Sequence, residues 1–403
     1  MNILILNQHT NNFGDDAAGI ALIRQINDAF PDATIDIIYS WNEDNNSLPV
    51  NDLRITHHLN LCLHLSFKEL LKVFIQIIGR RLFADYLVKG NIGEIAKIVR
   101  RSDLVFVSPC GANIGIYKDW LFLGRIMIAI AEGISPVFHL NTIGKSNSLI
   151  FNLLARIALE RSKVYVREKA SLEYLHRFGI SAERGVDTAF SLPDVPPDDH
   201  NIELPKYYLT VIPTEFSNWH VDYRDSDIDS LMISAVCSCI ASFCKAKDMK
   251  IVLLPHLDGS LRESLLLIKY KTAFISCCFN EADVIIAEDT RNVFHYEQYI
   301  RSSEFVVSMR YHGVIFAAKN AVPFISLSYE NKMIEACNYT GMSNWHIDIN
   351  HIASVDLLDR LDQLYVNKDL IIEELTHRKP FLSYLSRLPV HAVWLDHVSS
   401  PVK

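Results

Sequence analysis

The sequence lacks the features that mark several classes of protein. A nucleic-acid-binding protein normally has a basic excess, whereas this chain has a net charge of −8. Its eight cysteines form no pair of CxxC motifs at zinc-finger spacing, so we expect no structural zinc and a reducing compartment. The first residues contain neither a basic n-region nor a small-residue cleavage site, so we expect no signal peptide. These absences favour a cytoplasmic protein that has no nucleic-acid partner.

Long apolar runs are also missing. The most hydrophobic windows are residues 59–78, which carry several charged side chains, and residues 121–134, which are short and contain Arg125. Neither is expected to span a bilayer. Residues 59–78 could lie at a membrane surface, although a helix that faces the core or forms a lid is the better interpretation. A peripheral position at the inner face of the membrane therefore stays open.

Short apolar runs alternate with amphipathic runs along most of the 403 residues. This alternation indicates parallel sheets with helices on both faces, and the length is ample for two such domains. The Pro- and Asp-rich run at residues 191–206 reads as a linker. We predict two Rossmann-like, doubly wound α/β domains, residues 1–195 and 205–403. Helices at residues 357–398 are expected to pack back across the domains.

In doubly wound sheets, ligands bind beyond the carboxyl ends of the strands. The loop after the first predicted strand, NQHTNNFGDDAAG, contains Asn12, Gly14 and Asp15. Free amides at the following helix start could bind a phosphate or a sugar, and an ordinary capped turn explains the pattern as well. The motif is not GxGxxG, so the dinucleotide fingerprint is absent. A second loop, SPCGANIG, contains Gly111 and Asn113, where glycine serves either close approach to a ligand or a positive φ.

Arg167 directly follows a β-branched and aromatic strand, KVYV. An arginine at the carboxyl end of a strand can bind an anion through its planar, bidentate guanidinium. An isolated arginine of this kind forms an ordinary salt bridge about as often, here with Glu168 or Glu173. Both interpretations stand at this point.

Three more cationic or titratable residues follow two later strands. In EFVVSMRYHG, Arg310 and His312 are two positions apart, so their side chains would share one face of an extended chain. Lys332 follows the next strand, VPFISLS. Parallel neighbours would bring the three residues to one edge of the sheet, where they would repel one another unless an anion bound there. A lone histidine is more often a core residue, but this group of three predicts an anion site.

These motifs, in this order, resemble those of the polysaccharide pyruvyl transferase family. NFGDDA is similar to the family's Asn-x-Gly-Asp-x-Ala loop, SPCGANIG to its glycine-rich second loop, and VREKAS to its Val-Arg-Glu/Asp-x-x-Ser segment. VDTAFSLP looks like the end of its first domain, and SMRYHG with YENK resembles its Ser-x-Arg-x-His and Tyr-x-x-Lys block. The chain departs from the family at residues 108–111, where Ser-Pro-Cys-Gly replaces consecutive glycines, and at Gly313, where alanine is frequent.

The resemblance implies a GT-B-like fold whose two domains face each other across a cleft. It also implies transfer of the pyruvyl group of phosphoenolpyruvate onto two hydroxyls of a sugar, giving a cyclic ketal on a cell-surface polysaccharide or its lipid-linked precursor. Arg167, Arg310 and Lys332 would bind phosphoenolpyruvate, and His312 and Asp15 would be catalytic. The first domain would be the acceptor side, and its acceptor or loop residues would be Asn12, Gly14, Gly111 and Asn113.

The chemistry suits these residue types. The phosphate and carboxylate of phosphoenolpyruvate require several cations, and protonation of its methylene carbon requires a proton carrier near neutral pH, for which histidine is suited. No cofactor is needed beyond this co-substrate, and the sequence shows no metal triad. Two alternatives stay open: a GT-B glycosyltransferase that uses a nucleotide sugar, and a non-catalytic relative that binds glycan or phosphate. The sequence indicates neither the sugar nor the oligomeric state.

Overall fold

The computed structural model describes residues 1–40, 46–61, 90–194, 202–220, 222–224, 226–277, 279–354 and 356–399. The chain divides into two compact units. The first comprises residues 1–11, 15–193 and 383–403, and the second comprises residues 12–14 and 194–382. Most of the hydrophobic window at residues 59–78 and the middle of the linker at residues 191–206 lie outside the described residues.

The first unit is built on a seven-stranded parallel sheet with the order β3-β2-β1-β4-β5-β6-β7. Its strands are β1 (Asn2–Gln8), β2 (Thr34–Tyr39), β3 (Ile55–His58), β4 (Leu104–Val107), β5 (Val137–Asn141), β6 (Lys163–Val166) and β7 (Glu183–Arg184). Its helices include α1 (Phe13–Ala29), α2 (Asn91–Arg101), α3 (Trp120–Ala131), α4 (Leu149–Leu159) and α5 (Lys169–Arg177). The order reverses between β1 and β4, which is the topological switch point of a Rossmann-like sheet.

Local sequence explains where these elements begin. The apolar β5 is buried along its whole length, as expected of a central parallel strand covered on both faces. Asp119 caps α3 by accepting the amides of Leu121 and Phe122, each at 2.9 Å. Ser148 caps α4 by accepting the amide of Phe151 at 3.3 Å. Each cap fixes a helix start that directly follows a loop at the carboxyl edge of the sheet.

The second unit is built on a six-stranded parallel sheet with the order β10-β9-β8-β11-β12-β13. Its strands are β8 (Tyr208–Ile212), β9 (Lys250–Leu253), β10 (Val284–Ile286), β11 (Phe305–Ser308), β12 (Phe324–Ser328) and β13 (His346–Asp348). The order reverses between β8 and β11. The helices are α6 (Phe216–Trp219), α7 (Ile228–Ala246), α8 (Ser264–Ser276), α9 (Val293–Arg301), α10 (Tyr311–Lys319), α11 (Asn331–Tyr339), α12 (Leu357–Val366) and α13 (Lys368–Leu385).

Short 3₁₀ helices complete the described secondary structure. They are Leu59–Leu61, Thr188–Ser191, Gly259–Leu261, Glu281–Asp283, Ser343–Trp345 and Ile349–Ser354. By length and composition, α7 alone among the described helices could cross a membrane. Its buried residues Met232, Val236, Ile240 and Phe243 recur at helical spacing, which is typical of a core helix packed on a sheet.

The C-terminal helices differ from the predicted boundary at residues 205–403. The last helix, α14 (Leu388–Ser399), belongs to the first unit. Val390 and Val393 are buried, the Gln25 side-chain amide donates to the carbonyl of Ser386 at 3.2 Å, and Lys163 pairs with Asp396. These long-range contacts place residues 383–403 with the first unit instead of the second.

The predicted fold class is confirmed by two parallel, doubly wound sheets with alternating helices. Every strand that the sequence predicts is present and begins within two residues of its predicted start. The strands that the sequence analysis did not identify are β3, β7 and β13, which have two to four residues and lie at or next to sheet edges.

Candidate active site

The chain turns sharply after β11, at the switch point of the second unit. The strand ends at Ser308, Arg310 occupies the N-cap position of α10, and His312 lies in its first turn. The Ser308 hydroxyl accepts the Arg310 amide at 3.1 Å and donates to the Arg310 carbonyl at 2.8 Å, which closes the turn. The prediction that Arg310 and His312 share one face of an extended chain is therefore wrong, because a helix begins between them.

Gly313 lets α10 begin this close to the sheet. A Cβ atom at Gly313 would lie 2.2 Å from the Ser308 Oγ atom and 2.7 Å from the Ile212 Cδ1 atom. Such contacts are too short, so the Ser308 and Ile212 side chains would have to move. The glycine therefore sets the position of the first turn of α10, and with it the position of His312.

Arg310 lies at a pocket of the second unit. Its guanidinium Nη2 donates to the carboxylate of Glu263, and the two side chains are 11% and 10% exposed. The other oxygen of Glu263 accepts the backbone amide of His256 at 3.1 Å. Arg310 and Glu263 line a pocket of about 610 Å³ together with Glu215, Asn218, Leu257, Ser260, Leu261, Arg262, Ser264, Leu265 and Leu266. The pocket therefore has a cation held in place by a fixed carboxylate.

His312 stacks on a second histidine that the sequence analysis missed. The rings of His312 and His256 are 6.0 Å apart between centroids and inclined by 19°. The His256 Nδ1 atom lies 3.0 Å from the Tyr296 hydroxyl oxygen. Burial lowers the pKa of the His256 imidazole well below its ordinary value, and the charges of Arg310, His312 and Lys332 lower it further. The positive charges of three predicted residues therefore act on one buried, neutral imidazole.

Lys332 lies in the first turn of α11, just beyond the carboxyl end of β12. Its Nζ atom is 2.7 Å from the carboxylate of Glu330, whose other oxygen is 3.1 Å from the His220 Nε2 atom. Burial alone would raise the pKa of Glu330, but Lys332 and His220 hold it at about 2. Glu330 is therefore ionised at neutral pH and fixes the Lys332 ammonium.

Two carboxylates reduce the repulsion that was expected among the cations Arg310, His312 and Lys332. Arg310 has Glu263 as a partner, and Lys332 has Glu330. The expectation that the cations would repel one another unless an anion bound is therefore wrong, because the chain supplies counter-charges itself. The sequence contained signals for some of the missed residues: His256 follows β9 in the run KIVLLPH, and Glu330 stands two residues before Lys332.

The loop residues Asn12 and Gly14 belong to the second unit. A Cβ atom at Gly14 would lie 1.9 Å from the His312 Nδ1 atom, so only glycine allows the backbone to approach this ring. The Asn12 side-chain oxygen accepts the Gly14 amide at 2.9 Å. The neighbouring Phe13 amide donates to the His256 carbonyl at 3.2 Å. The predicted loop therefore packs against both histidines.

The remaining predicted loop residues lie in the first unit. Asp15 is half-buried in the first turn of α1, and its carbonyl accepts the Gln8 side-chain amide at 3.2 Å. Asn113 is buried and donates to the carboxylate of Asp119 at 3.1 Å. A Cβ atom at Gly111 would make one ordinary contact, and its φ lies outside the left-handed region. Of the two explanations for Gly111, the positive φ is therefore wrong.

Arg167 also lies in the first unit, directly after β6, and is only 3% exposed. Its Nη1 atom donates to the carboxylate of Asp187 at 2.6 Å, and its Nε atom is 3.7 Å from Glu168. Glu173, the other predicted partner, instead pairs with Lys169 at 3.5 Å. The predicted salt bridge to Glu168 is present, but the nearest partner is the fully buried Asp187.

The described cysteines are reduced, and several are buried, including Cys110, Cys237, Cys244 and Cys337. Burial raises the pKa of the Cys110 thiol to about 12, so this group is protonated at neutral pH. Among the described residues, no group of three or more His, Cys, Asp or Glu side chains is arranged to hold a metal ion.

Comparison of the chain with models of protein families gave a match that covers most of these residues. A family model described as polysaccharide pyruvyl transferase matches residues 12–331. The chain belongs to the polysaccharide pyruvyl transferase family. The match includes the loops of the first unit, Arg167, Arg310 and His312, and it ends directly before Lys332. A search of curated proteins found no match.

Solved structures resemble the chain in fold. A Listeria monocytogenes protein described as a UDP-N-acetylglucosamine 2-epimerase aligns with a TM-score of 0.65 and 10% identity over 99% of this chain and 97% of that chain. Another UDP-N-acetylglucosamine 2-epimerase aligns with a TM-score of 0.60 and 12% identity over 100% and 97%. An α,α-trehalose 6-phosphate synthase from Burkholderia multivorans aligns with a TM-score of 0.54 and 12% identity over 98% of each chain. These neighbours have the GT-B fold of two Rossmann-like domains, and the likeness is one of fold.

Proposed function

We propose that this chain transfers the pyruvyl group of phosphoenolpyruvate onto two hydroxyls of one sugar, with release of phosphate. The acceptor would be a cell-surface polysaccharide or its lipid-linked precursor, and the reaction would take place in the cytoplasm. The observation that carries the proposal is the stack of His312 on His256, together with the ion pairs Arg310–Glu263 and Lys332–Glu330, in a chain of the pyruvyl transferase family.

The pocket supports an anionic substrate. Phosphoenolpyruvate has a phosphate and a carboxylate on three carbons, and an arginine fork suits both groups. In this proposal, Arg310 and Lys332 bind the phosphate, and their carboxylate partners Glu263 and Glu330 hold the two cations in place. The same positive charges stabilise the phosphate as it departs.

His312 would move the proton on which the reaction depends. It donates a proton to the methylene carbon of phosphoenolpyruvate, which becomes a methyl group and leaves an oxocarbenium-like centre at C2. One sugar hydroxyl adds to C2, the bond from C2 to the phosphate oxygen breaks with its electron pair going to phosphate, and the second hydroxyl closes the ketal. The two hydroxyl protons return to His312 and to the released phosphate. Because His256 is neutral, it adds no positive charge beside His312.

The first unit would supply the acceptor side. Asp15 would orient or deprotonate a sugar hydroxyl, and the loop with Gly111 and Asn113 would contact the sugar. Arg167 was predicted to bind the carboxylate or phosphate of phosphoenolpyruvate, and this role stays a prediction. Its ion pair with Asp187 gives it a structural role in any case.

Ligand-dependent stabilisation against heat tests the substrate class. Phosphoenolpyruvate should raise the Tm of the full chain, and the Arg310→Met variant should lose that rise. Arg378→Met is a control, because Arg378 also forms an ion pair with a glutamate, Glu374, in the same unit and does not line the pocket. Stabilisation by a nucleotide sugar and not by phosphoenolpyruvate would favour a glycosyltransferase. Stabilisation by phosphoenolpyruvate without phosphate release in the presence of any sugar acceptor would favour a binding protein.

A further inference from the structure

The first unit has an exposed apolar surface beside the loop that carries Gly111 and Asn113. It consists of Ile116, Tyr117, Leu149, Ile150 and Leu153, and we call these five residues the aliphatic patch. The three residues on α4 are the most exposed: Leu149 is 83%, Ile150 is 67% and Leu153 is 60% exposed. Single exposed apolar residues are common, but a contiguous group usually marks an interaction surface.

Several contacts join the two segments of the aliphatic patch into one surface. The Lys118 ammonium donates to the Asn147 side-chain oxygen at 3.2 Å, directly before α4. The Gly144 amide donates to the carbonyl of Ile114 at 2.8 Å. The Trp120 ring packs edge-on against the ring of Phe151 with centroids 5.0 Å apart. The loop that carries Ile116 and Tyr117 is therefore fixed beside the first turn of α4.

A small apolar pocket adjoins the patch. Its volume is about 190 Å³, and its lining includes Ile114, Leu153 and Phe178. Arg156 is the cation of this lining, and its guanidinium carbon lies 5.7 Å from the centre of the Phe178 ring. Apolar walls of this kind match part of an acyl chain, whereas Arg156 is paired with Glu160 at 2.7 Å.

Basic side chains flank the aliphatic patch, although the whole chain has a net charge of −8. Lys118 makes the loop contact with Asn147. Lys145 directly follows Gly144 and is exposed. The nearby carboxylates are occupied: Asp119 caps α3, and Glu160 pairs with Arg156 at 2.7 Å. Lys118 and Lys145 therefore give this surface two positive side chains, in a chain whose net charge is −8.

We propose that the aliphatic patch and its flanking lysines bind the surface of an anionic lipid bilayer. The aliphatic side chains enter the acyl region, and Tyr117 lies at the head-group boundary, where tyrosine is favoured. Lys118 and Lys145 meet the anionic head groups. A second protein is a poorer match, because protein interfaces are enriched in aromatic residues and arginine and depleted in lysine. The proposal concerns the first unit and does not depend on the reaction.

Co-sedimentation of the full chain with lipid vesicles tests this proposal. The chain should bind vesicles of phosphatidylcholine with about one-third phosphatidylglycerol, and bind pure phosphatidylcholine vesicles more weakly. Leu149→Ser/Ile150→Ser should weaken binding by at least about tenfold, because two large aliphatic side chains no longer enter the bilayer. Val366→Ser/Leu370→Ser is the matched control and should bind normally, since these residues are 81% and 66% exposed but belong to the second unit.

A second variant measures how much the lysine charges contribute to vesicle binding, separately from the apolar side chains. Lys118→Gln/Lys145→Gln should weaken binding to the anionic vesicles by about fivefold for each lysine, and added salt should reduce that difference. Thermal unfolding of every variant checks that the fold is intact. Normal vesicle binding by the Leu149→Ser/Ile150→Ser variant would overturn the proposal. A wild-type dimer that this variant converts to a monomer, without vesicle binding by either, would also overturn it and would assign the patch to a second copy of the chain.

Discussion

Two arginines, one in each unit, follow a parallel strand, and their surroundings differ. Arg167 is 3% exposed and paired with Asp187, which is fully buried. Arg310 is paired with Glu263 at the edge of a pocket of about 610 Å³. The residue type and the position after the strand are the same in both cases. Burial of the partner and the presence of a pocket therefore distinguish the surroundings of the two arginines.

The largest expected effect concerns His312, the proposed proton carrier in the second unit. His312→Gln should lower kcat by between about a hundredfold and ten-thousandfold, the range typical of losing a general acid. The Tm should change little, because glutamine keeps a polar side chain of similar reach. Steady-state phosphate release measures kcat, and His377→Gln, a substitution of an exposed histidine on α13, is the control. Turnover near that of the wild type would remove His312 from the mechanism.

The next effect concerns stability in the first unit. Arg167→Met should lower the free energy of unfolding by about 3–5 kcal/mol, because it leaves the Asp187 carboxylate buried without its cation. Urea unfolding measures the loss. Arg167→Met/Asp187→Leu should recover much of it, since an apolar pair can replace a buried ion pair.

The recovered double variant also tests the comparison between the two arginines. If Arg167 acts only in the fold, the double variant should bind phosphoenolpyruvate as the wild type does. A large loss of affinity in this folded variant would show that Arg167 also binds the anion. An unchanged free energy of unfolding in Arg167→Met would contradict the structural role.

A smaller effect separates two glycines that follow strands in the two units. Gly313→Ala should destabilise the chain by about 1–3 kcal/mol, because the new methyl group would overlap Ser308 and Ile212. Gly144→Ala should change stability little, because a Cβ atom there meets nothing within 4 Å. Chemical denaturation of both variants measures the difference. Equal stability of the two variants would contradict the close approach of α10 to the sheet.

A further effect is a pH dependence that both units share. Burial lowers the pKa of His139 in the first unit to about 3, and the pKa of His256 in the second is also well below its ordinary value. The folded pKa values are thus lower than the unfolded value of about 6.5, so protonation favours unfolding. The stability that these neutral imidazoles contribute should be fully present above about pH 6.5. Below that pH, the free energy of unfolding should fall by about 1.4 kcal/mol per pH unit for each histidine.

His139→Gln isolates one of these contributions. Its free energy of unfolding, measured in urea between about pH 7 and pH 5, should fall less steeply than that of the wild type, because one of the imidazoles that the fold holds neutral is absent. Glu330 contributes only at lower pH, since its pKa is lowered from 4.5 to about 2. A variant with the same slope as the wild type would show that His139 is not held neutral by the fold.

Much of the fold could be predicted from the sequence because hydrophobic periodicity is local. The central strands are apolar along their length, so their positions are visible without knowledge of their neighbours. The membership of the last residues in the first unit was not visible. It depends on contacts such as that between Gln25 and Ser386, which are 361 positions apart.

The candidate site was predictable in part for the same reason. Arg310, His312 and Lys332 follow strands and stand out in apolar sequence. Their geometry was not predictable, because the turn at Ser308 ends the strand earlier than its apolar pattern indicates. Glu263 could not be assigned to Arg310 from the sequence, since 47 positions separate them.

The central claim is the proposal that this chain transfers a pyruvyl group from phosphoenolpyruvate with the help of Arg310, His312 and Lys332 of the second unit. The most direct test incubates the full chain with phosphoenolpyruvate and a panel of free and lipid-linked glycosides, and measures phosphate together with the mass of the glycoside. The account predicts one phosphate for each ketal formed, with both products lost in Arg310→Met and kept in Arg378→Met. Equal product formation by Arg310→Met and the wild type would contradict it, as would consumption of a nucleotide sugar without any phosphate released from phosphoenolpyruvate.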